Sequence, residues 1–189
     1  LLLRVFAELP PLRLTEAITD QYGLVKLAFN RPPLDLALEL PDADSSFLIE
    51  SAADSDTLRI WYTLQSDSNW SILLAQDTLL RDTVAVPANP PIAPDSLAPD
   101  KSSLSGFAGQ NPTQPMQLTF NHPLRTIDTS LIALFRLSDS LQTRYVPTVL
   151  PTDTLNPRVA TFSFNWEENQ RYQMVFLPGA LTDIFGITN

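Results

Sequence analysis

A single histidine, His122, is the first residue to consider as a reactive group in this 189-residue chain. A histidine that acts as a general base or binds a metal ion needs partner side chains that orient it or complete the ligand set. The chain contains no second histidine and no cysteine. We therefore expect His122 to be a polar turn residue rather than a catalytic or metal-binding one.

Five acidic residues between positions 42 and 56 form the clearest group of oxygen ligands. They are Asp42, Asp44, Glu50, Asp54 and Asp56. Calcium prefers oxygen ligands, but Phe47 occupies the position at which an EF-hand loop requires glycine for its sharp turn. Solvated turns between strands are the favoured interpretation. A calcium site formed where two acidic turns meet at one end of a domain is the alternative. We predict no metal site.

Three aromatic residues, Trp61, Tyr62 and Trp70, lie close enough in sequence to form a platform for a sugar ring. Trp61 and Tyr62 are neighbours on a predicted strand and point to opposite faces, so at most one of them is expected to face solvent. Core packing is the favoured interpretation, because large aromatic side chains dominate the cores of β-sandwiches.

Glu167 and Glu168 form a weak carboxylate pair. Neighbours in a turn do not face each other across a substrate, as the carboxylates of a glycosidase do, so we expect both to be solvated. The sequence contains no phosphate loop, nucleophile elbow or dinucleotide-binding fingerprint, and it has only 5 glycines with which to build one. We expect no catalytic residue, no cofactor and no enzymatic activity.

The chain is acidic, and its charge is unevenly distributed. The formal net charge is −9, with 6 Lys or Arg against 13 Asp or Glu in residues 1–92 and 6 against 8 in residues 93–189. An acidic surface repels both a phosphate backbone and anionic lipid, so neither nucleic acid nor a bare membrane surface is an expected partner. The lack of cysteine excludes disulfides and zinc-thiolate sites without fixing a compartment.

A repeated segment indicates the elements that position these residues. Residues 25–32 (VKLAFNRP) reappear as residues 116–123 (MQLTFNHP), and 91 residues separate the matching Leu27 and Leu118. Each copy alternates and then closes with Phe-Asn-X-Pro, which predicts a strand that runs into a turn, with Phe29 and Phe120 in equivalent core positions. A repeat of this length predicts two similar domains, each the size of a small β-sandwich. Arg31 is the counterpart of His122, which supports a polar turn there.

Alternating residues predict about seven strands in the first ninety residues, the strand count of an immunoglobulin-like sandwich. Residues 34–40 carry leucine at every second position, which places four leucines on one face of a strand. Residues 57–64 are β-branched and aromatic, as strands prefer. The other predicted strands are residues 2–8, 24–30, 47–53, 71–75 and 78–86. Residues 12–22 are instead predicted to form a helical turn, since Leu14, Ala17 and Ile18 would share a face.

The second half of the sequence also shows the alternating pattern of β-strands. Its predicted strands are residues 115–121, 131–137, 144–150, 158–164 and 171–177, and Phe162, Phe164 and Trp166 alternate onto one core face. Between the halves, residues 86–100 contain five of the 17 prolines. So proline-rich a segment is extended and fairly stiff, which predicts two domains, 1–92 and 93–189, joined by this linker.

Two glycines near the end of the chain are predicted to lie in turns. Gly179 follows Pro178, as in a type II turn whose second central residue needs a positive φ. Gly186 closes a turn opened by Asp183, whose side chain can accept a backbone N–H two residues on. We expect Asp183 to stabilise this turn rather than bind a metal ion, Asp183→Asn to be nearly silent, and Gly179→Val to be destabilising.

Motifs of the second half also indicate a family. They are residues 118–124 (LTFNHPL), Trp166-Glu167, Tyr172 and residues 177–186 (LPGALTDIFG). With them, residues 104–189 resemble the bacterial immunoglobulin-like domains, of the surface-layer type, found in cell-envelope lipoproteins of Gram-negative gut bacteria. The first half shares only the Phe-Asn-X-Pro strand and lacks the Pro-Gly-Ala and Asp-X-X-Gly ending. The resemblance implies an exported, lipid-anchored protein with a scaffolding role, and it brings no catalytic residue. Together with the repeat and the strand count, it predicts two tandem immunoglobulin-like β-sandwiches joined by the proline-rich linker.

Three functions are consistent with these features. The first is a non-catalytic structural or interaction module of an exported cell-envelope lipoprotein, acting as a spacer or a protein-binding scaffold. The second is a carbohydrate-binding module, and the third is an accessory module of a larger surface enzyme or glycan-uptake system. The expected partner is a protein or glycan at the cell surface, with membrane attachment only through an anchor outside these residues.

Overall fold

The structure is a computed structural model, and it describes residues 10–40, 47–52, 54–64, 68–76, 80–88, 94–102, 111–137 and 143–189. Over these residues the protein is all-β, as predicted, with antiparallel strand pairing, one 3-10 turn (Thr129–Leu131) and no α-helix. No helix in this part of the chain is therefore long and apolar enough to span a membrane. The chain divides into two compact units, Leu1–Ala93 and Pro94–Asn189, called the first and second units below.

The first unit contains seven strands in its described residues. They are β1 (Leu14–Gln21), β2 (Leu24–Phe29), β3 (Ala37–Glu39), β4 (Phe47–Glu50), β5 (Thr57–Tyr62), β6 (Trp70–Gln76) and β7 (Leu80–Val86). Four of them form a sheet in the order β1-β2-β5-β4, and the other three form a sheet in the order β3-β6-β7.

The second unit contains nine described strands. They are β8 (Pro99–Ser102), β9 (Met116–Phe120), β10 (Leu124–Ile127), β11 (Ile132–Arg136), β12 (Arg144–Tyr145), β13 (Thr148–Leu150), β14 (Val159–Ser163), β15 (Tyr172–Phe176) and β16 (Leu181–Asp183). They form a four-stranded sheet (β13-β14-β9-β8), a three-stranded sheet (β12-β11-β15) and a two-stranded one (β10-β16).

The core of the first unit draws on both of its sheets, which makes the unit sandwich-like. Leu27 and Phe29 share one face of β2 and are 0% and 3% exposed, as their spacing predicts. Ile60 from β5 packs in the same cluster as Ile72 from β6 and Val86 from β7. Burial of this apolar surface is the main force that holds the unit together.

The core of the second unit is built in the same way. Phe120 of β9 is 2% exposed and packs with Phe162 of β14, which is fully buried. Ile132 from the three-stranded sheet joins this cluster. Trp166 packs against the cluster, so the predicted core face is confirmed for Phe162 and Trp166. Phe164 is half-buried, and its ring lies 5.2 Å from that of Trp166.

The asparagine of the first Phe-Asn-X-Pro motif clamps the chain that precedes β1. The Asn30 backbone N–H donates to the Arg13 carbonyl oxygen (3.1 Å), and Asn30 Oδ1 accepts from the Arg13 N–H (2.8 Å). Asn30 Nδ2 donates to the Pro11 carbonyl oxygen (3.0 Å). These bonds hold Leu12, which is 1% exposed, in the core.

The second motif forms the same clamp. The Asn121 backbone N–H donates to the Ala98 carbonyl oxygen (3.0 Å), and Asn121 Oδ1 accepts from the Ala98 N–H (2.9 Å). Asn121 Nδ2 donates to the Ser96 carbonyl oxygen (2.9 Å), and the intervening Leu97 is 8% exposed. We call these two arrangements the asparagine clamps. They give the repeated asparagine a structural role in both units.

The helical turn predicted for residues 12–22 is wrong, because this segment contains β1. Two irregularities in the pairing of β1 with β2, at Leu14/Glu16 and Ile18/Gln21, break the alternation that would identify a strand. The four-leucine strand is also shorter than predicted. Asp35 has φ +60, so the chain turns there and leaves Leu34 62% exposed, while β3 begins only at Ala37.

The predicted strand at residues 144–150 is two strands in two sheets. Pro147 separates them, and β12 pairs with β11 whereas β13 pairs with β14. The proline-rich segment also ends sooner than predicted, because Leu97 joins the core and β8 begins at Pro99. The sequence also did not predict strand β10. The predicted strand at residues 2–8 lies outside the described residues.

The two predicted glycine turns have the backbone geometry that only glycine adopts without strain. Gly179 has φ +83 and Gly186 has φ +84. A β-carbon on Gly179 would lie 3.9 Å from Leu131 Cδ1, an ordinary contact, so backbone conformation rather than space excludes other residues there.

Candidate functional site

His122 lies in a bend, as predicted, but it is buried and paired with a side chain that the sequence did not indicate. It is 8% exposed, and its Nδ1 lies 2.8 Å from Oδ2 of Asp183. Because a carboxylate oxygen only accepts, this bond places a proton on Nδ1. The ring of Phe185 stands edge-on at a centroid distance of 5.3 Å. The histidine therefore links the end of β9 to the end of β16.

Asp183 is the centre of this arrangement and is 0% exposed. Its Oδ1 accepts from the backbone N–H groups of Phe185 (2.9 Å) and Ile187 (2.8 Å), so the predicted bond to the residue two positions on is confirmed. The bond from Oδ2 to His122 was not predicted. Since Asn lacks the second carboxylate oxygen, the expectation that Asp183→Asn is nearly silent loses half of its basis.

The acidic group proposed for calcium does not converge in the part of the chain that the structure describes. Both oxygens of Glu50 are used within the sheet: Oε2 accepts from Trp61 Nε1 (2.9 Å), and Oε1 lies 3.4 Å from Arg59 Nη1. Asp54 and Asp56 are exposed. The described residues contain no group of three His, Cys, Asp or Glu able to hold a metal ion. Asp42 and Asp44 lie outside the described residues.

The three aromatic residues proposed as a sugar platform are packed into the first unit. Trp61 is 4% and Tyr62 5% exposed, so neither of these neighbours faces solvent. Trp70 is half-buried, with its ring 5.1 Å from that of Tyr62 and 5.5 Å from that of Phe47 in edge-on contacts. Of these three residues, only Trp70 keeps part of its surface exposed to solvent, so they do not form a platform of several aromatic rings.

Among these three residues, Tyr62 carries a buried hydroxyl group whose pKa is shifted. Its hydroxyl is buried and has no hydrogen-bond partner among the described residues. Burial raises the pKa of Tyr62 above its ordinary value of 10.0, and the nearby Tyr22 raises it further. A raised pKa means that the folded state holds the phenol proton more tightly than the unfolded state does. The resulting contribution to the free energy of unfolding is fully present below about pH 10, and it is lost as the pH rises through the folded-state pKa.

We expect Tyr62→Phe to leave the first unit equally stable at pH 7 or to stabilise it by up to about 1 kcal/mol, because the change removes a buried, unpartnered hydroxyl. The same variant should unfold at a pH above that of the unmodified chain in an alkaline titration followed by circular dichroism. Tyr172→Phe is the matched control, since the Tyr172 hydroxyl accepts from the Glu167 N–H (3.2 Å). A clear loss of stability in Tyr62→Phe would show that its hydroxyl is hydrogen-bonded.

The two neighbouring glutamates are both exposed, but one of them is paired. Arg136 Nη1 donates to both carboxylate oxygens of Glu167, at 3.0 and 2.9 Å. Both glutamates are solvated, as predicted, although Glu167 also forms an ion pair with Arg136. The ion pair joins β11 to the segment after β14 at one end of the second unit, beside an apolar cleft.

This cleft has a volume of about 390 Å³, within the range typical of ligand sites. The lining includes side chains of β9 and β15 and the indole of Trp166. The residues from these two strands are Met116, Leu118, Tyr172, Met174 and Phe176. The carboxylate of Glu167 adds a polar group to the lining. The cleft is thus a largely apolar space with few polar groups.

An aromatic cluster adjoins the cleft. The rings of Phe164, Trp166 and Tyr172 are in mutual edge-on contact, with centroids 5.2 to 5.7 Å apart, and Tyr145 packs on Phe164 at 5.3 Å. The indole Nε1 of Trp166 is buried and has no acceptor among the described residues. Sequence reasoning placed Phe164 and Trp166 in the core but missed the cleft, for which no local pattern exists.

No protein-family model, curated protein sequence or solved structure matches this chain.

Proposed function

We propose that this chain is a non-catalytic structural and interaction module made of two immunoglobulin-like β-sandwiches, which acts as a spacer or protein-binding scaffold in an exported cell-envelope protein. The observation that carries the proposal is that six strands of each unit pair in the same order and that both units contain the same asparagine clamp. Repetition of a structural frame without repetition of any reactive group is typical of modules that set distance and present surfaces.

The strand order supports an immunoglobulin-like assignment for the first unit. An immunoglobulin constant-type sandwich has seven strands, A to G in chain order, in sheets ordered A-B-E-D and C-F-G. The order β1-β2-β5-β4 with β3-β6-β7 is the same arrangement when the strands are lettered along the chain.

The second unit follows the same order through its first six equivalent strands. Lettering β8, β9, β11, β13, β14 and β15 as A to F gives a sheet A-B-E-D and the pair C-F. Strands β10 and β12 are additional. This correspondence supports two related domains, with the boundary between residues 92 and 94.

The contacts made by the potentially reactive side chains support a role without catalysis. Each of the best candidates is engaged in a bond to another side chain of its own unit: His122 to Asp183, Glu50 to Trp61, and Glu167 to Arg136. The first two of these pairs are also buried, which separates them from any substrate in solution. Location in the cell envelope and attachment through an anchor outside these residues rest on the family resemblance alone.

The two units are expected to fold independently. Residues 1–92 and 93–189 are produced separately, and each should show its own cooperative melt by circular dichroism, at a temperature close to that of the matching transition in the full chain. If neither piece melts cooperatively while the full chain does so, the boundary or the two-module proposal is wrong.

The spacer role makes a separate prediction about the proline-rich segment. Because the chain has no cysteine, single cysteines introduced at the exposed Ser71 and Thr126 can be spin-labelled without background. We expect a narrow distance distribution by double electron–electron resonance, and a clearly broader one when Pro90 and Pro91 are replaced by glycine. Equal widths in the two proteins would show that proline does not set the separation, and would remove the spacer role.

A further inference from the structure

The outer face of the four-stranded sheet in the second unit carries a polar cleft. Gln117 of β9 and Thr161 of β14 lie opposite each other and alternate with core residues on both strands, so their side chains point away from the core. The loop of residues 151–158, between β13 and β14, lies within the described residues and supplies most of the other groups. The cleft has a volume of about 260 Å³ and is lined by Gln117, Pro151, Asp153, Asn156, Val159 and Thr161.

This loop is held in one conformation by its own backbone. The Asn156 N–H donates to the Asp153 carbonyl oxygen, and the Val159 N–H donates to that of Asn156 (both 3.0 Å), which makes two successive turns. The Leu124 N–H donates to the Pro157 carbonyl oxygen (3.0 Å), which joins the loop to the start of β10. A wall that is already ordered loses little conformational entropy when a ligand binds.

The carboxylate of the cleft is oriented as well. Asp153 Oδ1 accepts from the Leu155 N–H (3.0 Å), and Oδ2 accepts from Asn156 Nδ2 (2.7 Å). The bond from Leu155, and after it the bond from Asn156, lower the pKa of Asp153, so this side chain is ionised at neutral pH. A carboxylate has about four acceptor positions, so each oxygen can accept a further hydrogen bond from a ligand.

The first unit has different side chains at the equivalent positions. The repeat aligns Gln117 with Lys26. Arg59 lies opposite Lys26 across β2 and β5, just as Thr161 lies opposite its partner across β9 and β14. The second unit therefore has two neutral side chains that donate and accept hydrogen bonds where the first has two cations. Side chains on an outer sheet face do not fill the core, so the shared strand order does not require this difference.

The lining selects a neutral ligand that is rich in hydroxyl groups. An anion would meet the Asp153 carboxylate and, among the described lining residues, no lysine or arginine. A cation would pair with this carboxylate, but it only donates and so cannot use the amide N–H groups of the lining. A hydroxyl group both donates and accepts, so adjacent hydroxyl groups on one ring match a carboxylate, two amides and a hydroxyl.

We propose that the polar cleft binds one neutral sugar ring, either as a free sugar or at the end of a glycan. Asp153 accepts from adjacent ring hydroxyls, and the amides of Gln117 and Asn156 bond to the others. The apolar surfaces of Pro151 and Val159 contact the C–H groups of the ring. Because the cleft is small and no aromatic ring lines it among the described residues, we expect a dissociation constant on the order of 1–10 mM. The site does not depend on the spacer role.

The test is an NMR titration of the full chain. The probes are glucose, galactose, mannose and N-acetylglucosamine, each as the free sugar and as its methyl glycoside, at up to about 100 mM, ten times the weakest expected dissociation constant. Methylguanidinium is the cationic probe. Asp153→Ala removes the carboxylate, and Gln117→Lys introduces the residue of the first unit. Lys26→Gln is the matched control, because it makes the reciprocal change in the other unit. Circular dichroism melts check that every variant is folded.

We expect at least one neutral sugar to shift the side-chain amide signals of Gln117 and Asn156 and the backbone amide signal of Leu155, with saturation. Asp153→Ala should weaken this binding at least about tenfold, and Gln117→Lys about fivefold, because the first removes hydrogen bonds to a charged group and the second a neutral one. The control Lys26→Gln should leave it unchanged. Binding of the methyl glycosides supports the end of a glycan as the ligand, and binding of the free sugars alone supports a free sugar.

Three results would overturn the proposal. The first is the absence of saturable shifts with every neutral sugar. The second is equal binding by the unmodified chain and a folded Asp153→Ala variant. The third is tighter binding of methylguanidinium than of any sugar, which would assign the cleft to a basic side chain. None of these results bears on the distance and melting tests of the spacer role.

Discussion

Replacing Asp183 by alanine is expected to destabilise the second unit by about 3–5 kcal/mol, because the change breaks a fully buried charged network. Alanine leaves two backbone N–H groups, those of Phe185 and Ile187, without their acceptor and leaves His122 without its partner. In calorimetry of the full chain, the melting temperature of the second unit should fall by more than about 10 °C, while that of the first unit should not change.

Asp153→Ala is the matched control for this change. Asp153 also accepts a hydrogen bond from a backbone N–H two residues on, that of Leu155 (3.0 Å). This bond is the main cause that lowers the pKa of Asp153, and the bond from Asn156 is the second. Unlike Asp183, Asp153 is exposed. We expect Asp153→Ala to leave the calorimetric transition of the second unit almost unchanged, because the side chain lies at the surface. Asp183→Asn should fall between the two alanine variants, because it keeps an acceptor for both N–H groups. Equal effects of Asp183→Ala and Asp153→Ala would show that the buried network contributes no more than a surface turn.

Truncating either motif phenylalanine should destabilise its own unit by about 3–5 kcal/mol through the cavity left in the core. Phe29→Ala and Phe120→Ala are therefore expected to lower different calorimetric transitions, since these rings belong to separate core clusters. Leu73→Ala and Leu150→Ala serve as controls, with side chains 46% and 37% exposed, and each should cost about 1 kcal/mol or less.

The outcome that would contradict this prediction is equally specific. If Phe29→Ala moved both transitions by the same amount, the two clusters would unfold as one cooperative body. An unchanged melting temperature for Phe120→Ala would place its ring at the surface and shift the register of β9 by one residue.

Strands with regular pairing could be predicted from the sequence. In β5 and β14 every second side chain enters a core, so alternation in the sequence follows alternation in burial. Strand β1 was missed because its pairing with β2 is twice irregular, which interrupts the alternation. The strand at residues 144–150 was predicted as continuous because no local signal shows that the chain changes sheets at Pro147.

The candidate sites could be predicted only where they depend on neighbouring residues. The bond from Asp183 to the Phe185 N–H spans two residues and follows from turn chemistry. The bond between His122 and Asp183 spans 61 residues and exists because β10 pairs with β16. The cleft depends on which strand lies next to β15, a property of topology that no segment of the sequence expresses alone.

The asparagine clamps have a mechanical consequence. Each clamp holds the chain just before the first described strand of its unit, with Asn30 bonded to Pro11 and Arg13, and Asn121 bonded to Ser96 and Ala98. When a pulling force is applied along the chain, it reaches these bonds before it reaches the sheet. In each unit three hydrogen bonds and one buried leucine resist the first displacement together, so extension is opposed where the chain enters each unit.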